Sequence, residues 1–317
     1  MRVYLFFSLF LLLFFSIHYL FYSRVIRKLL VSDQTKRVFT TLLGLNFIFN
    51  ILYVIGRYSD LLNSSFYYLF SLSIGISFML LLYLILHEVL HLFHKTLKNV
   101  DHSKRAFLKN SGDGAMLMLA TSYVSAGAYE GSKAPAVNIV EFKQFDFSIV
   151  QISDLHIGGL IDKDFVKSSV QKINALDPDI VFITGDLIDT ALEEIEDIMV
   201  ELGSISSKHG IYYVLGNHEY FHDPLKLIAY MKHSKIKLLL NEHVTIDSLK
   251  LNVVGVTDRI GYRTNLLPPD IHKAFSGINQ EYKTILLAHQ PKYIAVSYTH
   301  LRAHETLGSI SYAVFCL

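Results

Sequence analysis

The chain changes its hydrophobic texture once, near residue 147. Ahead of that point apolar residues come in long runs. Residues 3–22, VYLFFSLFLLLFFSIHYLFY, hold no charge beyond what His18 carries. A helix of that length reaches about 30 Å, the thickness of a bilayer core, so this run is expected to cross a membrane. A removable signal peptide fits it poorly, because YSRVIRK is not a small-residue cleavage site. Residues 38–56 and 66–86 are further runs of spanning length, and 114–128 is a weaker fourth candidate beside Asp113. In the second run Thr40, Thr41, Asn46 and Asn50 are expected to bond to backbone or to neighbouring helices.

From residue 147 the periods shorten. FSIVQISD, DIVFITGD and IYYVLGN are apolar runs of strand length, at 147–154, 179–186 and 211–217. Between them Phe165, Val166, Val170, Ile173 and Leu176, and then Leu192, Ile195, Ile198, Met199 and Leu202, recur at helical spacing. Strand and helix alternating at this rhythm predict an α/β domain with a βαβαβ core, right-handed crossovers and a largely parallel sheet. A short helix near 224–233 and less regular strands at 249–256 and 284–289 follow. Residues 129–146, with Gly131, Ser132, Lys133 and Pro135, read as a linker between the two parts.

Charge divides at the same place. Residues 1–109 hold twelve Lys and Arg against four Asp and Glu; the remainder holds seventeen against twenty-four. The acidic part argues against a nucleic-acid surface, which needs clustered Lys and Arg. Arg24, Arg27, Lys28, Lys36 and Arg37 lie between the first two runs, only Arg57 between the next two, and Lys95, Lys98, Lys104, Arg105 and Lys109 after the third. The positive-inside rule makes the first and third of these loops cytoplasmic. SKRAFLK at 103–109, ahead of the weak apolar run, resembles a twin-arginine export signal with Lys104 in place of the first Arg. That reading puts the acidic domain outside the plasma membrane; the alternative is a cytoplasmic amphipathic segment. Cys316 is the sole cysteine, so no intramolecular disulfide forms.

HEVLH, residues 87–91, matches a zinc-protease pattern in which His87 and His91 bind metal and Glu88 activates water. The motif ends an apolar run and continues into LFHKTLK without a third ligand at a characteristic spacing. A membrane zinc protease is therefore the rival chemistry, and a snorkelling helix end is the plainer reading.

The polar residues of the second part fall at strand ends: Asp154 and His156 in SDLHIG, Asp186 in TGDLID, Asn217 and His218 in LGNHEY, and His289 in LLAHQP. Side chains at the carboxyl ends of parallel strands converge on one crevice. Mixed oxygen and nitrogen donors suit two divalent cations, Mn, Fe or Zn rather than Mg or Ca. A pair of such ions hydrolysing a phosphate ester needs a bridging carboxylate, for which Asp186, preceded by Gly185, is placed. These motifs together resemble the calcineurin-like metallophosphoesterase superfamily, and the apolar front is similar to its bacterial membrane-anchored branch. The resemblance covers 147 to about 295. It implies that Asp154 and His156 bind one metal, Asp186 bridges, Asn217 and His289 bind the other, and His218 stabilises the transition state and protonates the leaving oxygen. Glu219 and Asp258 are candidate supporting contacts, although solvated loop positions are the plainer reading of both.

The same resemblance implies a further G-H-x-H element after His289. THLRAH does not match it, since His300 and His304 stand four apart and no glycine precedes them. Residues 296–306, VSYTHLRAHET, resemble a translated sequencing adapter. The expectation is a phosphoesterase domain at 147–295 truncated there, a foreign tail at 296–317, and poor metal binding and inactivity of the chain as written. The parent is expected to be a membrane-anchored enzyme cleaving a phosphodiester or pyrophosphate bond, with its address favouring a lipid or envelope substrate. A non-enzymatic scaffold carrying a degenerate phosphoesterase domain is the alternative.

Overall fold

The computed structural model describes residues 2–29, 31–57, 64–96, 102–131, 133, 135–143, 145–158, 161–290 and 314–316. It divides into two compact units, Met1–Lys133 and Ala134–Leu317.

The first unit is helical: α1 Arg2–Arg24, α2 Asp33–Arg57, α3 Ser64–Thr96 and α4 His102–Gly131. Three segments, Phe7–Lys28, Asp33–Gly56 and Leu69–Val89, are long and apolar enough to cross a membrane. Their outward faces carry exposed Leu12, Leu13, Phe15, Leu42, Phe78 and Leu82, which suits hydrocarbon as solvent. The weak run at 114–128 belongs to a longer helix: α4 continues unbroken from His102, because neither Gly112 nor Gly114 stops a helix by itself.

Polar side chains face inward instead. His18, Asn46, Asn50, Ser73 and Ser77 are all buried where α1, α2 and α3 meet. The Asn46 amide donates to the Ser77 hydroxyl at 2.8 Å and lies 3.0 Å from His18 Nε2. Asn50 donates to Ser77 at 2.8 Å and accepts from Ser73 at 2.7 Å. Two of the four polar residues of the second run thus bond between helices. Thr40 instead donates to the Lys36 carbonyl within α2.

The HEVLH segment lies on α3. Glu88 receives a hydrogen bond from Arg24 Nη1 of α1 at 3.1 Å, and buried His87 stacks on Tyr83. The side chain of His91 lies outside the described residues. Glu88 is therefore engaged in an interhelical ion pair, and among the described residues the groups able to hold a metal lie in the second unit.

That unit begins with β1 Ile149–Ile152, α5 Lys163–Ala175, β2 Ile180–Thr184, α6 Glu196–Leu202, β3 Ile211–Val214, α7 Pro224–Met231 and β4 Ile236–Leu238. The four strands pair in parallel in the order β1-β2-β3-β4. A second sheet comprises β5 Glu242–Ile246, β6 Leu251–Gly255, β7 Lys283–Leu287 and β8 Val314–Cys316, with only β6 and β7 parallel. Two short helices, α8 Ile260–Thr264 and α9 Ile271–Phe275, lie between β6 and β7. Most of the expected foreign tail, 296–313, lies outside the described residues, and 314–316 form β8 on the edge beside β7.

The period of two in a strand builds the layers. On β2 and β3, Val181, Ile183, Ile211 and Tyr213 point to one side, into a core with Val166, Val170 and Ile173 of α5 and Ile198, Met199 and Leu202 of α6. Ile180, Phe182, Tyr212 and Val214 point to the other, against Leu251, Val253, Ile285 and Leu287 of the second sheet. The outer face of that sheet, Val254 and Leu286, is covered by Ile271 and Ala274 of α9. The result is helices, sheet, sheet, helix. The long crossover helices are capped as their sequences dictate: Asp162 accepts from Phe165 N, and Asp223 accepts from Leu225 N and Lys226 N with Pro224 in the first turn.

The buried network of the first unit yields a prediction. Asn50→Leu removes an acceptor from Ser73 and a donor from Ser77, and is expected to destabilise the helices by about 0.6 to 2 kcal/mol. Thermal unfolding in detergent measures this; an unchanged midpoint would show that the network carries no stability.

Candidate metal centre

Each candidate ligand stands past the end of a strand, and three of them take backbone that no strand can continue. Gly185 takes φ +91°, and Asp154, His156 and Asp186 take φ of 55°, 48° and 50°. Left-handed backbone is rare outside glycine, with Asp and His among the residues that tolerate it. The turns are also tight. A Cβ at Gly185 would stand 2.7 Å from both Gly216 Cα and His289 Nδ1, and one at Gly216 would run into Asp186. These two glycines let the turns after β2 and β3 touch.

The turns are tied together by backbone hydrogen bonds. Asp154 N donates to Gly185 O at 3.1 Å, His156 N to Asp186 O at 2.9 Å and Ile157 N to Leu187 O at 2.8 Å. The His218 amide donates to Asp186 Oδ1 at 2.8 Å. A buried carboxylate organises the rest. Glu219 accepts from Asp186 N at 3.1 Å, Leu187 N at 2.6 Å, Ile188 N at 3.2 Å and Gly216 N at 2.7 Å. It is 0 % exposed, and burial, reinforced by the charge of Asp186, raises its pKa. The expectation of a solvated loop position is corrected: four donors hold this side chain inside. The same correction applies to Asp258, which is 1 % exposed with its pKa pushed up by burial.

At the centre is Asp186, 3 % exposed. Its Oδ2 lies 3.3 Å from His289 Nε2, 3.8 Å from His156 Nε2 and 3.8 Å from His218 Nε2. Two groups of ligand atoms lie within 4.8 Å of one another, His156 with Asp186 and His218, and Asp154 with Asp186 and His289. Asp186 is common to both. Asn217 is half-buried at the end of β3, where its carbonyl accepts from Tyr220 N and opens the turn that carries His218. This grouping places His218 among the candidate ligands and joins Asp154 to His289, which differs from the division that the resemblance implies.

The imidazoles are oriented from behind. A carbonyl only accepts, so the 2.9 Å contact of His289 Nδ1 with Thr184 O puts a proton on Nδ1 and aims Nε2 at Asp186. The 2.7 Å contact of His218 Nδ1 with Asp189 Oδ1 fixes that ring in the same way. Histidines that ligate metals characteristically donate their other nitrogen to a carbonyl or carboxylate, so the donor set fits divalent cations. Asp189 is a site residue beyond those expected from the sequence, where its one signal is the second carboxylate of GDLID, three positions after Asp186.

Electrostatics agree with that fit. Burial raises the Asp186 carboxyl, but hydrogen bonds from His289 and the His218 amide, together with the two imidazole charges, leave it below its usual value. Burial lowers His289, yet Asp186 outweighs it and lifts the imidazole to about 9. The stability this pair supplies is therefore complete between the ordinary carboxylate and histidine pKa values, fades as pH rises through about 9, and is lost again in acid as Asp186 takes up its proton. A protonated His289 neutralises converging carboxylates that a metal ion would otherwise neutralise.

The calcineurin-like phosphoesterase family matches residues 147–310, a stretch that carries every one of these side chains. This chain belongs to that family. A metallophosphoesterase of Helicobacter pylori is 33 % identical over 72 % of this chain and 62 % of its own length. One from Campylobacter jejuni is 25 % identical over 92 % of this chain and 79 % of its own. The UDP-2,3-diacylglucosamine pyrophosphatase LpxG of Chlamydia trachomatis is 27 % identical over 46 % of this chain and 57 % of its own. The chain thus spans under two thirds of the Helicobacter protein. No solved structure matches it.

If Glu219 holds the phosphoesterase turns together, Glu219→Ala strands four buried N–H groups and should cost more than about 3 kcal/mol. The unfolding midpoint and the calorimetric Mn²⁺ affinity of the detergent-solubilised full-length protein should then both fall. Retention of the wild-type midpoint and metal affinity would show the carboxylate to be dispensable.

Proposed function

We propose that this phosphoesterase is anchored in the plasma membrane by several spans and hydrolyses a phosphodiester or pyrophosphate bond at a two-metal centre. Asp154, His156, Asp186, Asn217 and His289 hold the ions, which we take to be Mn, Fe or Zn, and His218 is the catalytic residue. The observation that carries the reading is Asp186 Oδ2, within 3.8 Å of imidazole nitrogens that follow three different strands. When bound, a pair of divalent cations supplies an acidified water and neutralises phosphoryl oxygens.

The protein's own groups do the remainder. His218 keeps its Nδ1 proton on Asp189, so Nε2 carries a proton only in the imidazolium form, which the Asp189 carboxylate stabilises. That form donates from Nε2 to the departing oxygen. Asp186 holds its charge because the His218 amide and His289 bond to it, and Glu219 keeps it from drifting.

A lipid or envelope substrate is supported by two observations: helices able to span a membrane, and a relative, LpxG, named for pyrophosphate cleavage in a diacylglucosamine nucleotide. Tethering an enzyme to the surface that holds its substrate raises the effective concentration. We place the catalytic domain on the extracytoplasmic face. The Lys and Arg distribution puts the segment after the third span on the cytoplasmic side, so this placement requires α4, whose 30 residues reach about 45 Å, to be a fourth crossing beyond the three apolar spans.

Asp186→Asn in the full-length protein should lower Mn-dependent hydrolysis of bis(4-nitrophenyl) phosphate by at least about 10³-fold; comparable turnover would remove Asp186 from the bridging position. An alkaline phosphatase reporter joined after Ala128 should be active, whereas a reporter silent there and fluorescent as a cytoplasmic fusion would reverse the orientation.

A further inference from the structure

The turn after β3 carries more than His218. His218–Phe221 is a single turn of 3-10 helix, and its side chains divide by direction. Glu219 and Tyr220 are buried, Glu219 among the amides it accepts from and Tyr220 with its hydroxyl donating to Leu267 O at 3.1 Å. Phe221 is left outside, 56 % exposed.

A lone exposed apolar side chain is ordinary on a protein surface. The position of this one is not. Its ring meets the His218 imidazole edge to face, with centroids 5.3 Å apart, and the His218 imidazole meets that of His156 in the same manner at 4.3 Å. Ring contact thus passes from a candidate ligand, through His218, to an aromatic surface in water. His218 keeps part of its own surface open, so a group that reaches its imidazole comes within a few ångström of the Phe221 ring.

Bracing the imidazole is the simpler task for such a ring, and two observations weigh against it. Asp189 already orients His218 through the 2.7 Å contact at Nδ1, while Nε2 faces Asp186 Oδ2 at 3.8 Å. A brace is also most effective when packed on both sides, whereas more than half of Phe221 faces solvent. Binding sites commonly set apolar and aromatic walls beside a few polar groups that fix orientation.

We propose that Phe221 is the surface against which the departing group of the ester lies, so that the enzyme selects leaving groups with apolar area next to the ester oxygen. The inference rests on the phosphoesterase reading, in which His218 Nε2 protonates that oxygen, and it names the residue that discriminates among leaving groups. An oxygen delivered to Nε2 brings its first attached atoms past the ring that touches the imidazole. Covering that ring removes apolar area of both partners from water.

The test uses two methyl phosphodiesters, 4-nitrophenyl methyl phosphate and 4-methylumbelliferyl methyl phosphate. They expel phenols of similar acidity, one with a single ring and one with two. With Mn²⁺, the full-length wild type is expected to favour the umbelliferyl ester in kcat/KM by at least about fivefold. Phe221→Ser should bring that ratio to within about twofold of unity and Phe221→Leu should retain part of the preference, with thermal midpoint and Mn²⁺ affinity unchanged in both. A ring that only braces His218 would lower both esters by one factor. That outcome, a wild type indifferent to the two esters, or a preference that survives Phe221→Ser would overturn the assignment while leaving the metal centre standing. A wild type that cleaves neither ester would overturn the phosphoesterase reading, and this one with it.

Discussion

One buried carboxylate sets the geometry on which the remainder depends. Glu219 takes N–H groups from both the turn after β2 and the turn after β3, and in doing so presses Asp186 to where three imidazoles can reach it. Without such an acceptor, two tight turns in contact would leave their amides buried and unpaired, at a cost no short loop sustains. Gly185 and Gly216 permit the approach; Glu219 makes it favourable. Asp186 can then afford to be nearly inaccessible and still charged.

The order of the parts follows from this clamp. Orientation of His289 by Thr184 O and of His218 by Asp189 comes from groups on or just after β2, so the strand that supplies the shared carboxylate also aims the nitrogens facing it. Residues 257–270 are fastened to the turn of His218, where Tyr220 Oη donates to Leu267 O, and to the stretch after β7, where Gln290 Nε2 donates to Asp258. Candidate ligands, their supporting partners and this loop therefore form one hydrogen-bonded body, the kind of construction that keeps a site from loosening.

Much of this was legible beforehand because it is local. Strand, turn and a polar residue occur within a few positions, so Asp154, His156, Asp186, His218 and His289 could be read from their places after apolar runs. The strand at 179–186 shortened to Ile180–Thr184 because Gly185 and Asp186 adopt positive φ, which a ladder cannot contain. What escaped reading is nonlocal. The second sheet was seen only as two irregular strands, since β5 alternates weakly and β4 is three residues long. His289 was assigned to the end of the same parallel sheet, whereas β7 belongs to the sheet stacked on it. Glu219 and Asp258 look like ordinary loop residues in sequence, for besides the local Gly216 and Ile260 their partners lie 31 to 33 and 32 positions away.

The stacking of two sheets has a temporal consequence. Asp154 emerges from the ribosome long before His289, and the inter-sheet faces of β2 and β3 wait for Leu251, Val253, Ile285 and Leu287 to cover them. Such high contact order delays closure of the domain and leaves a greasy surface uncovered meanwhile. A nascent chain can thus assemble His156, Asp186 and His218 on its first sheet while the second group, with Asp154 and Asp186, still waits for His289 to be made.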